Sequence, residues 1–221
     1  NPFPTVISRI CPATCESNCR RLLEDESVAI NNLKRFVCDY EMKQDKRSQP
    51  YKAPQTDKKV AVIGGGVQGL SAAFFTARLG HGVTVFEGTG TLGGILRQAI
   101  DRSRLSMDVL DWDIQGIREI GVDIQTNQKL GTDMTLGSLL SDGFDAVFTG
   151  TGGWDSRMLR KEADTPVSLI PGTWLLIDLL RLPDQIPVKA NVVLAGFSSR
   201  LPDAVTGLKA KGARQISLVL R

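Results

Sequence analysis

Several features are scarce in this chain, and each scarcity narrows what it does. No run of about 18 apolar residues occurs, which excludes a membrane-crossing helix. A charge excess is missing too: 27 basic against 24 acidic residues leave +3, too mild a balance to argue for a nucleic-acid partner. The first residues, NPFPTVISRI, lack the charged-then-apolar layout of a secretory signal. Cysteine is limited to four residues, three of them clustered, which is no disulfide framework for a chain of 221 residues. Metal binding in a reducing compartment, the cytoplasm, is the expectation. The one histidine, His81, falls in a turn and reads as plain surface. Against these shortages stands an apolar content of 42%, ample for one large or two small domains.

The most informative stretch is KVAVIGGGVQGLSAAFFTARLGHGVTVFE, from Lys59 to Glu87. Val60 to Ile63 is a short, β-branched apolar run, which predicts a buried strand. Gly64, Gly66 and Gly69 follow at G-x-G-x-x-G spacing. Leu70 to Leu79 predicts a helix whose Ala72, Ala73 and Ala77 permit close packing on a sheet. Val83 to Phe86 predicts a second strand, with Glu87 at its end. This is a βαβ unit with an acid roughly 20 residues past the glycines, the dinucleotide-binding fingerprint. Gly64 permits the sharp turn, Gly66 lets a pyrophosphate approach the backbone, and Gly69 lets the helix pack on the strand. The helix N-terminus offers free N–H groups and partial positive charge. Glu87 would accept hydrogen bonds from an adenosine ribose.

The N-terminal residues hold Cys11, Cys15 and Cys19 at C-x-x-x-C-x-x-x-C spacing, with Pro12 after the first. Such spacing suits an iron–sulfur cluster, with zinc as the alternative, although the usual C-x-x-C pairs are absent. Val28 to Met42 predicts a helix capped by Ser27, with Ile30, Leu33, Phe36, Val37 and Tyr40 on one face. Cys38 in that helix reads as a packing residue. Lys43 to Lys59, with Pro50 and Pro54, predicts a linker whose KQDKR run is solvated. Val109 to Ile120 predicts an amphipathic helix with Leu110, Ile114 and Ile117 inward, ended by Gly121. Strands are predicted over Val122 to Gln125 and Phe144 to Phe148, with a short helix within Asp133 to Leu140. The second of these strands runs into Thr149-Gly150-Thr151-Gly152-Gly153. Ile170-Pro171-Gly172 marks a turn. Trp174 to Leu182 predicts a helix with Asp178 and Arg181 on its polar side. Val192 to Ala195, Pro202 to Lys211 and Gln215 to Leu220 predict a second βαβ-like start.

Taken together, these motifs resemble the small (β) subunit family of glutamate synthase. The N-terminal part of dihydropyrimidine dehydrogenase and the large subunit of NADH-dependent ferredoxin:NADP oxidoreductase are similar. The resemblance rests on the cysteine segment, VAINNLKRFVCDYE, the FAD fingerprint, Leu92-Gly93-Gly94-Ile95-Leu96-Arg97, GVDIQTNQKLGTDMTL and DAVFTGTG, in that order. It implies an α/β fold: a Rossmann-like FAD-binding domain over 56–186, a small helical iron–sulfur-type segment over 1–50 before it, and an incomplete second dinucleotide-binding-like domain over 187–221.

The resemblance implies that FAD is held by Gly64, Gly65, Gly66, Val67, Gln68 and Gly69, by Glu87 and Gly88, by Gly93, Gly94, Ile95, Leu96 and Arg97, by Leu130, and by Gly150, Thr151 and Gly152. It also implies that Cys11, Cys15 and Cys19 ligate [4Fe–4S] clusters. The implied function is electron transfer between NAD(P)H and clusters or a partner subunit within a hetero-oligomer, with no side-chain acid or base required. The alternative is an FAD-binding relay or scaffold with a degenerate NAD(P)H site.

Three departures bear on that choice. The family's other cysteine segment is absent upstream of Cys11. Lys34 stands where the family places a Glu or Gln ligand. The second nucleotide turn reads Gly196, Ser198 and Leu201, with Pro202 next, where the family has G-x-G-x-x-A; Arg221 falls near basic residues that favour a 2′-phosphate.

Overall fold

The computed structural model describes residues 1–152, 172–196 and 200–219. The expectations for Gly153, Ile170, Pro171, Ser198, Leu220 and Arg221 lie outside these residues. Contacts divide the chain into two compact units, Asn1–Arg97 with Arg102–Thr151, and Gln98–Asp101 with Gly152–Arg221.

Four strands organise the first unit: β1 (Lys59–Ile63), β2 (Gly82–Glu87), β3 (Val122–Thr126) and β4 (Ala146–Thr149). They form one parallel sheet in the order β3-β2-β1-β4. Val62 pairs with Val85 on one side and Phe148 on the other, so β1 is central. Both faces of β1 are covered, which is why its sequence is nearly all apolar. Ala61 and Ile63 join Phe86, Met134 and Leu139 on one face. On the other, Val62 lies beneath the start of α4 (Val67–Arg78), whose Leu70, Ala73 and Ala77 are fully buried. Each fully buried Leu or Val of this kind contributes roughly 1.5–3 kcal/mol.

The crossover to β3 carries α5 (Ile95–Gln98) and α6 (Met107–Glu119). Leu110, Ile114 and Ile117 of α6 are buried, as their spacing predicts, and Gly121 follows with φ +100°. The crossover to β4 carries α7 (Leu136–Ser141), later than the predicted start because Thr135 caps it in a reciprocal pair with Ser138.

The N-terminal segment holds the helices α1 (Pro4–Ile10), α2 (Thr14–Ser17) and α3 (Ile30–Met42), with a 3-10 turn over Arg20–Leu23. Helix α1 has no side-chain cap of its own. Asp113 on α6 supplies one, accepting from the Val6 N–H at 2.8 Å and the Thr5 N–H at 3.4 Å. Burial raises the Asp113 pKa to about 6, against the pull of those hydrogen bonds.

Helix α3 corrects the sequence reading of its cap and supplies an orientation that the periodicity leaves open. It starts at Ile30 with Ala29 before it and no side-chain cap, so Ser27 does not cap it. Its apolar stripe faces outward: Leu33, Phe36, Val37 and Tyr40 are exposed. On the opposite face Cys38 is buried and Asn31 and Lys34 are half-buried, as is Ile30 at the start of the stripe. Cys38 is buried as expected, and burial pushes its thiol pKa up.

The linker also differs from expectation. Residues 43–58 carry no helix or strand, but Arg47 is not solvated. Its guanidinium lies 3.7 Å from the Trp112 ring centroid, pairs with Glu119 at 3.0 Å and donates to the Trp112 carbonyl.

In the second unit, β5 (Asn191–Ala195) and β6 (Gln215–Val219) pair in parallel across α9 (Leu201–Ala210). Helix α8 (Leu176–Arg181) packs Leu179 with Ile186, Ala204 and Leu208. Asp178 does not lie on a polar side: it is fully buried.

Candidate functional site

The strand order turns back at β1. From β1 the chain proceeds to β2 and β3 on one side, then crosses to β4 on the other. Open parallel sheets bind ligands at such a switch point, beyond the carboxyl ends of the strands. Three of the expected glycines meet there. Gly64 has φ +102°, and its N–H donates to the Phe86 carbonyl at 2.7 Å. The Gly150 N–H donates to Ile63 at 2.7 Å, which holds the end of β4 beside the turn. A Cβ on Gly69 would stand 1.8 Å from the Gly64 carbonyl oxygen, so the helix packs on the turn as the spacing predicts. Gly66 is different. A Cβ there would meet no protein atom closer than Gly94 Cα at 4.0 Å. Its missing side chain leaves room for a ligand, not for packing. Val67 is half-buried and Gln68 exposed at the start of α4, a 12-residue helix whose first N–H groups open toward this turn.

Glu87 is held on both carboxylate oxygens. Oε2 accepts from the Gly65 N–H at 2.7 Å, and Oε1 accepts from the Thr89 N–H and hydroxyl at 2.8 Å each. The acid at the end of β2 is therefore fixed against the glycine turn, with lone pairs remaining for a ribose hydroxyl. Thr89 was not among the expected residues; its signal was a Thr two residues past a strand-end acid.

The Leu92–Arg97 segment crosses the same turn. The Gly93 N–H donates to the Gly65 carbonyl at 2.8 Å, and Gly94 lies against Gly66. Gly88 and Leu130 flank it: Gly88 is exposed beside the backbone of Gln128 and Lys129, and Leu130 packs at the edge of the Ile63–Phe86 cluster. Ile95 is exposed, whereas the Leu96 side chain is buried in the core, leaving only its backbone for a ligand. Arg97 donates to the Leu92 carbonyl at 2.5 Å and pairs with Asp111. Asp111 is thus a supporting residue that spacing alone does not reveal. Thr151 and Gly152 are exposed past Gly150. This turn fits a dinucleotide: open space at Gly66, N–H groups at a helix start, and an acid fixed at the end of β2.

The cysteine segment is arranged otherwise. Cys11 ends α1 half-buried, Cys15 is exposed on α2, and Cys19 precedes the 3-10 turn. The Ala13 N–H at 3.4 Å and the Lys34 ammonium at 3.2 Å both point at Cys11 Sγ and hold its pKa low. Hydrogen bonds from the backbone of Val28 and Arg21 lower that of Cys19. Among the described residues, no group of three or more Cys, His, Asp or Glu side chains is placed to hold a metal ion. The three cysteines do not fit a cluster as a closed ligand set, and the ammonium beside Cys11 is no ligand to iron. His81 is also more engaged than a plain surface residue, since its Nδ1 lies 2.7 Å from the Thr56 hydroxyl.

Comparison with known proteins agrees with this division. Residues 1–46 match the family described as dihydropyrimidine dehydrogenase domain II, 4Fe-4S cluster, and residues 62–122 match the NAD(P)-binding Rossmann-like domain. The chain is 37% identical to NADP(+)-dependent formate dehydrogenase subunit beta of Moorella thermoacetica, over 98% of this chain and 34% of that protein. It is 30% identical to the glutamate synthase [NADPH] small chain of Escherichia coli, over all of this chain and 49% of that protein. The chain thus spans between about a third and a half of these relatives. Mycobacterium tuberculosis FprA in complex with NADPH superimposes with a TM-score of 0.51 at 18% identity, over 75% of this chain and 43% of that one, a likeness of fold alone. No helix among the described residues is long and apolar enough to cross a membrane.

Proposed function

The chain is a homologue of the glutamate synthase small chain and of related NAD(P)H oxidoreductase subunits, and from that premise we propose that it is the FAD-binding part of an electron-transferring oxidoreductase. It passes electrons between NAD(P)H and iron–sulfur clusters or a partner subunit. The observation that carries this reading is the cradle at the switch point: Gly66 open toward a ligand, Gly64, Gly69 and Gly150 packed behind it, and Glu87 fixed on the Gly65 N–H. Gly93 and Gly94, which lie against Gly65 and Gly66, support the same reading. Bound flavin supplies hydride acceptance and single-electron release. The protein binds and orients it, and needs no side-chain acid or base.

The reading assigns residues 1–50 to iron–sulfur chemistry with ligands completed by other protein, 56–186 to FAD and 187–221 to a nucleotide-binding-like unit. That relatives are named as β subunits and small chains supports a partner subunit in a hetero-oligomer. Three clustered cysteines of the kind that bind metal support a reducing compartment, the cytoplasm.

The experiment is flavin analysis of the purified full-length protein. One FAD per chain with a flavoprotein absorption spectrum is expected, and a protein without flavin overturns the reading. A second reading, an FAD relay with a degenerate NAD(P)H site, is favoured by the late start of α9, five residues past Gly196. Rapid reduction of the flavin by NADH or NADPH separates the two.

A further inference from the structure

The apolar stripe of α3 is uncovered among the described residues: Leu33, Phe36, Val37 and Tyr40 are each between 58% and 69% exposed. A contiguous apolar strip of this kind marks a binding surface. An open cleft of about 430 Å³ lies in the same unit, walled by Arg9 of α1, by Arg35, Asp39 and Lys43 at α3 and its end, and by residues at the start of α6. Stripe and cleft adjoin. Phe36 and Tyr40 directly follow Arg35 and Asp39 along the helix, and Lys43 lies two turns past Phe36 on the same line.

The cleft carries an unbalanced charge. Its cations are Arg9, Arg35, Lys43, Arg102 and Arg104 and its carboxylates Asp39 and Asp108, a net +3 among the described residues. That equals the excess of the whole chain, 27 basic over 24 acidic residues, so the remainder is balanced. Asp39 is already taken by Arg9 and Arg35. Arg104 donates to the Ile10 carbonyl at 2.9 Å and Arg102 to the Met107 sulfur, and neither has a carboxylate partner among the described residues. Exposed aromatic side chains beside arginines, with Met42 in the cleft wall, are what protein interfaces concentrate. The charge selects the occupant. A second copy docked about a two-fold axis through this face would set +3 against +3. A nucleic acid would answer the charge but leave Leu33 and Val37 without apolar cover. We propose that this face docks a partner protein, whose apolar centre covers Phe36 and Tyr40 and whose surrounding carboxylates enter the cleft beside Arg102 and Arg104. It rests on the reading of the chain as one subunit of a larger electron-transferring assembly.

The test footprints the full-length protein, alone and in its native complex, with hydroxyl radicals and mass spectrometry, before and after nuclease treatment. Phe36 and Tyr40 are expected to be oxidised in the separate protein and protected in the complex. Protection already in the separate protein overturns the proposal, whether its own chain provides the cover or, at high concentration only, a second copy does. Equal oxidation in both states overturns it, as does protection that nuclease removes. Phe36→Ser and Arg102→Glu are then re-bound to the partner subunit isolated from that complex, with Arg118→Glu, an exposed charge in the last turn of α6, as the control. Phe36→Ser should dissociate about tenfold faster or more. Arg102→Glu should associate more slowly and with a flatter salt dependence, while Arg118→Glu matches wild type. Wild-type kinetics in both face variants, with circular dichroism unchanged, sinks the docking face; if Phe36→Ser fails to fold, Arg102→Glu and the wild-type footprint decide. FAD is assayed in every sample. Protein without flavin overturns the functional reading, whereas the footprint decides the docking face by itself.

Discussion

Two glycines of one motif predict opposite failures. Gly69→Ala places a methyl 1.8 Å from the Gly64 carbonyl, so the turn or the helix must shift. Overpacking of this kind costs about 1–3 kcal/mol. The variant should unfold at lower urea concentration and bind FAD weakly as a consequence. Gly66→Val fills space that the protein itself leaves open, with no atom nearer than 4.0 Å to a first added carbon. It should keep its urea midpoint and circular dichroism but lose stoichiometric FAD. A Gly66→Val protein that retains one FAD per chain would count against the cradle. The spacing alone ranks these residues together; only the neighbours of each Cβ separate packing from binding.

A third residue ties stability to pH. Asp113 is buried, and its pKa in the folded protein stands at about 6, above the unfolded value of about 3.9. The folded state therefore holds this proton more tightly. Its stabilising contribution is full below about pH 4 and is lost as pH rises to about 6, a change of roughly 2–3 kcal/mol. Urea denaturation at several pH values should show this slope in wild type and a flatter profile in Asp113→Asn. An equal slope in both proteins would remove Asp113 from the account. No sequence pattern marks this residue, because its partners, Thr5 and Val6, lie more than a hundred positions away.

At the scale of elements, what the sequence reveals depends on where an element's partner lies. The β1-α4-β2 unit was legible because partner and pattern share one short stretch: β-branched strand, glycine turn, small-residue helix, strand-end acid. Helix α3 was legible in extent but not in orientation. Its 3.6-residue period marks an apolar stripe, yet Leu33, Phe36, Val37 and Tyr40 face outward while Cys38 is buried and Lys34 half-buried. Periodicity reports that two faces differ; it does not report which face the rest of the chain covers. Asp178 illustrates the converse, a charged residue that helical phase assigns to solvent and packing assigns to the interior.

The 43–58 linker makes the same point, and it carries a prediction. Composition reads it as loose, but Arg47 stacks on Trp112 and pairs with Glu119, and Lys52 donates to the Ile120 carbonyl at 2.8 Å. Both anchors lie at α6 and its end. A cation–π contact of this partly covered kind is worth about 1–2 kcal/mol. Arg47→Ala should therefore speed proteolytic cleavage within 43–58 while leaving FAD content unchanged. Cleavage at the wild-type rate would mean that the stacking does not hold the linker.

At the scale of the whole molecule, the two βαβ units are alike in plan and differ after the first strand's glycine, where the proposed reading places phosphate. Both pair parallel strands through a helix, and both have a left-handed glycine after the first strand, Gly64 with φ +102° and Gly196 with φ +109°. In the first unit the helix starts at Val67, three residues past that glycine, with Gly69 already inside it. In the second, α9 starts at Leu201, five residues past Gly196. At about 1.5 Å per residue, the two missing residues shorten that end of the helix by roughly 3 Å. Leu201 also occupies the motif position that Gly69 fills in the first unit, where even a Cβ would stand 1.8 Å from the turn carbonyl. Pro202, inside the first turn of α9, removes one N–H donor, which a helix start tolerates but an anion site does not regain. Hydrogen bonds to charged groups contribute roughly 1.5–3 kcal/mol each, so the loss of two weakens pyrophosphate binding by about 100-fold or more. The protein should accordingly hold FAD in the first unit and bind NADH or NADPH poorly in the second. Electrons would then reach the flavin from a partner subunit or another nucleotide site. Anaerobic titration of the FAD-loaded full-length protein, alone and in its complex, is the measurement. Slow or absent flavin bleaching in the separate protein and rapid bleaching in the complex is the expected pattern. Rapid bleaching of the separate protein at micromolar nucleotide would show that the late helix start leaves the site intact.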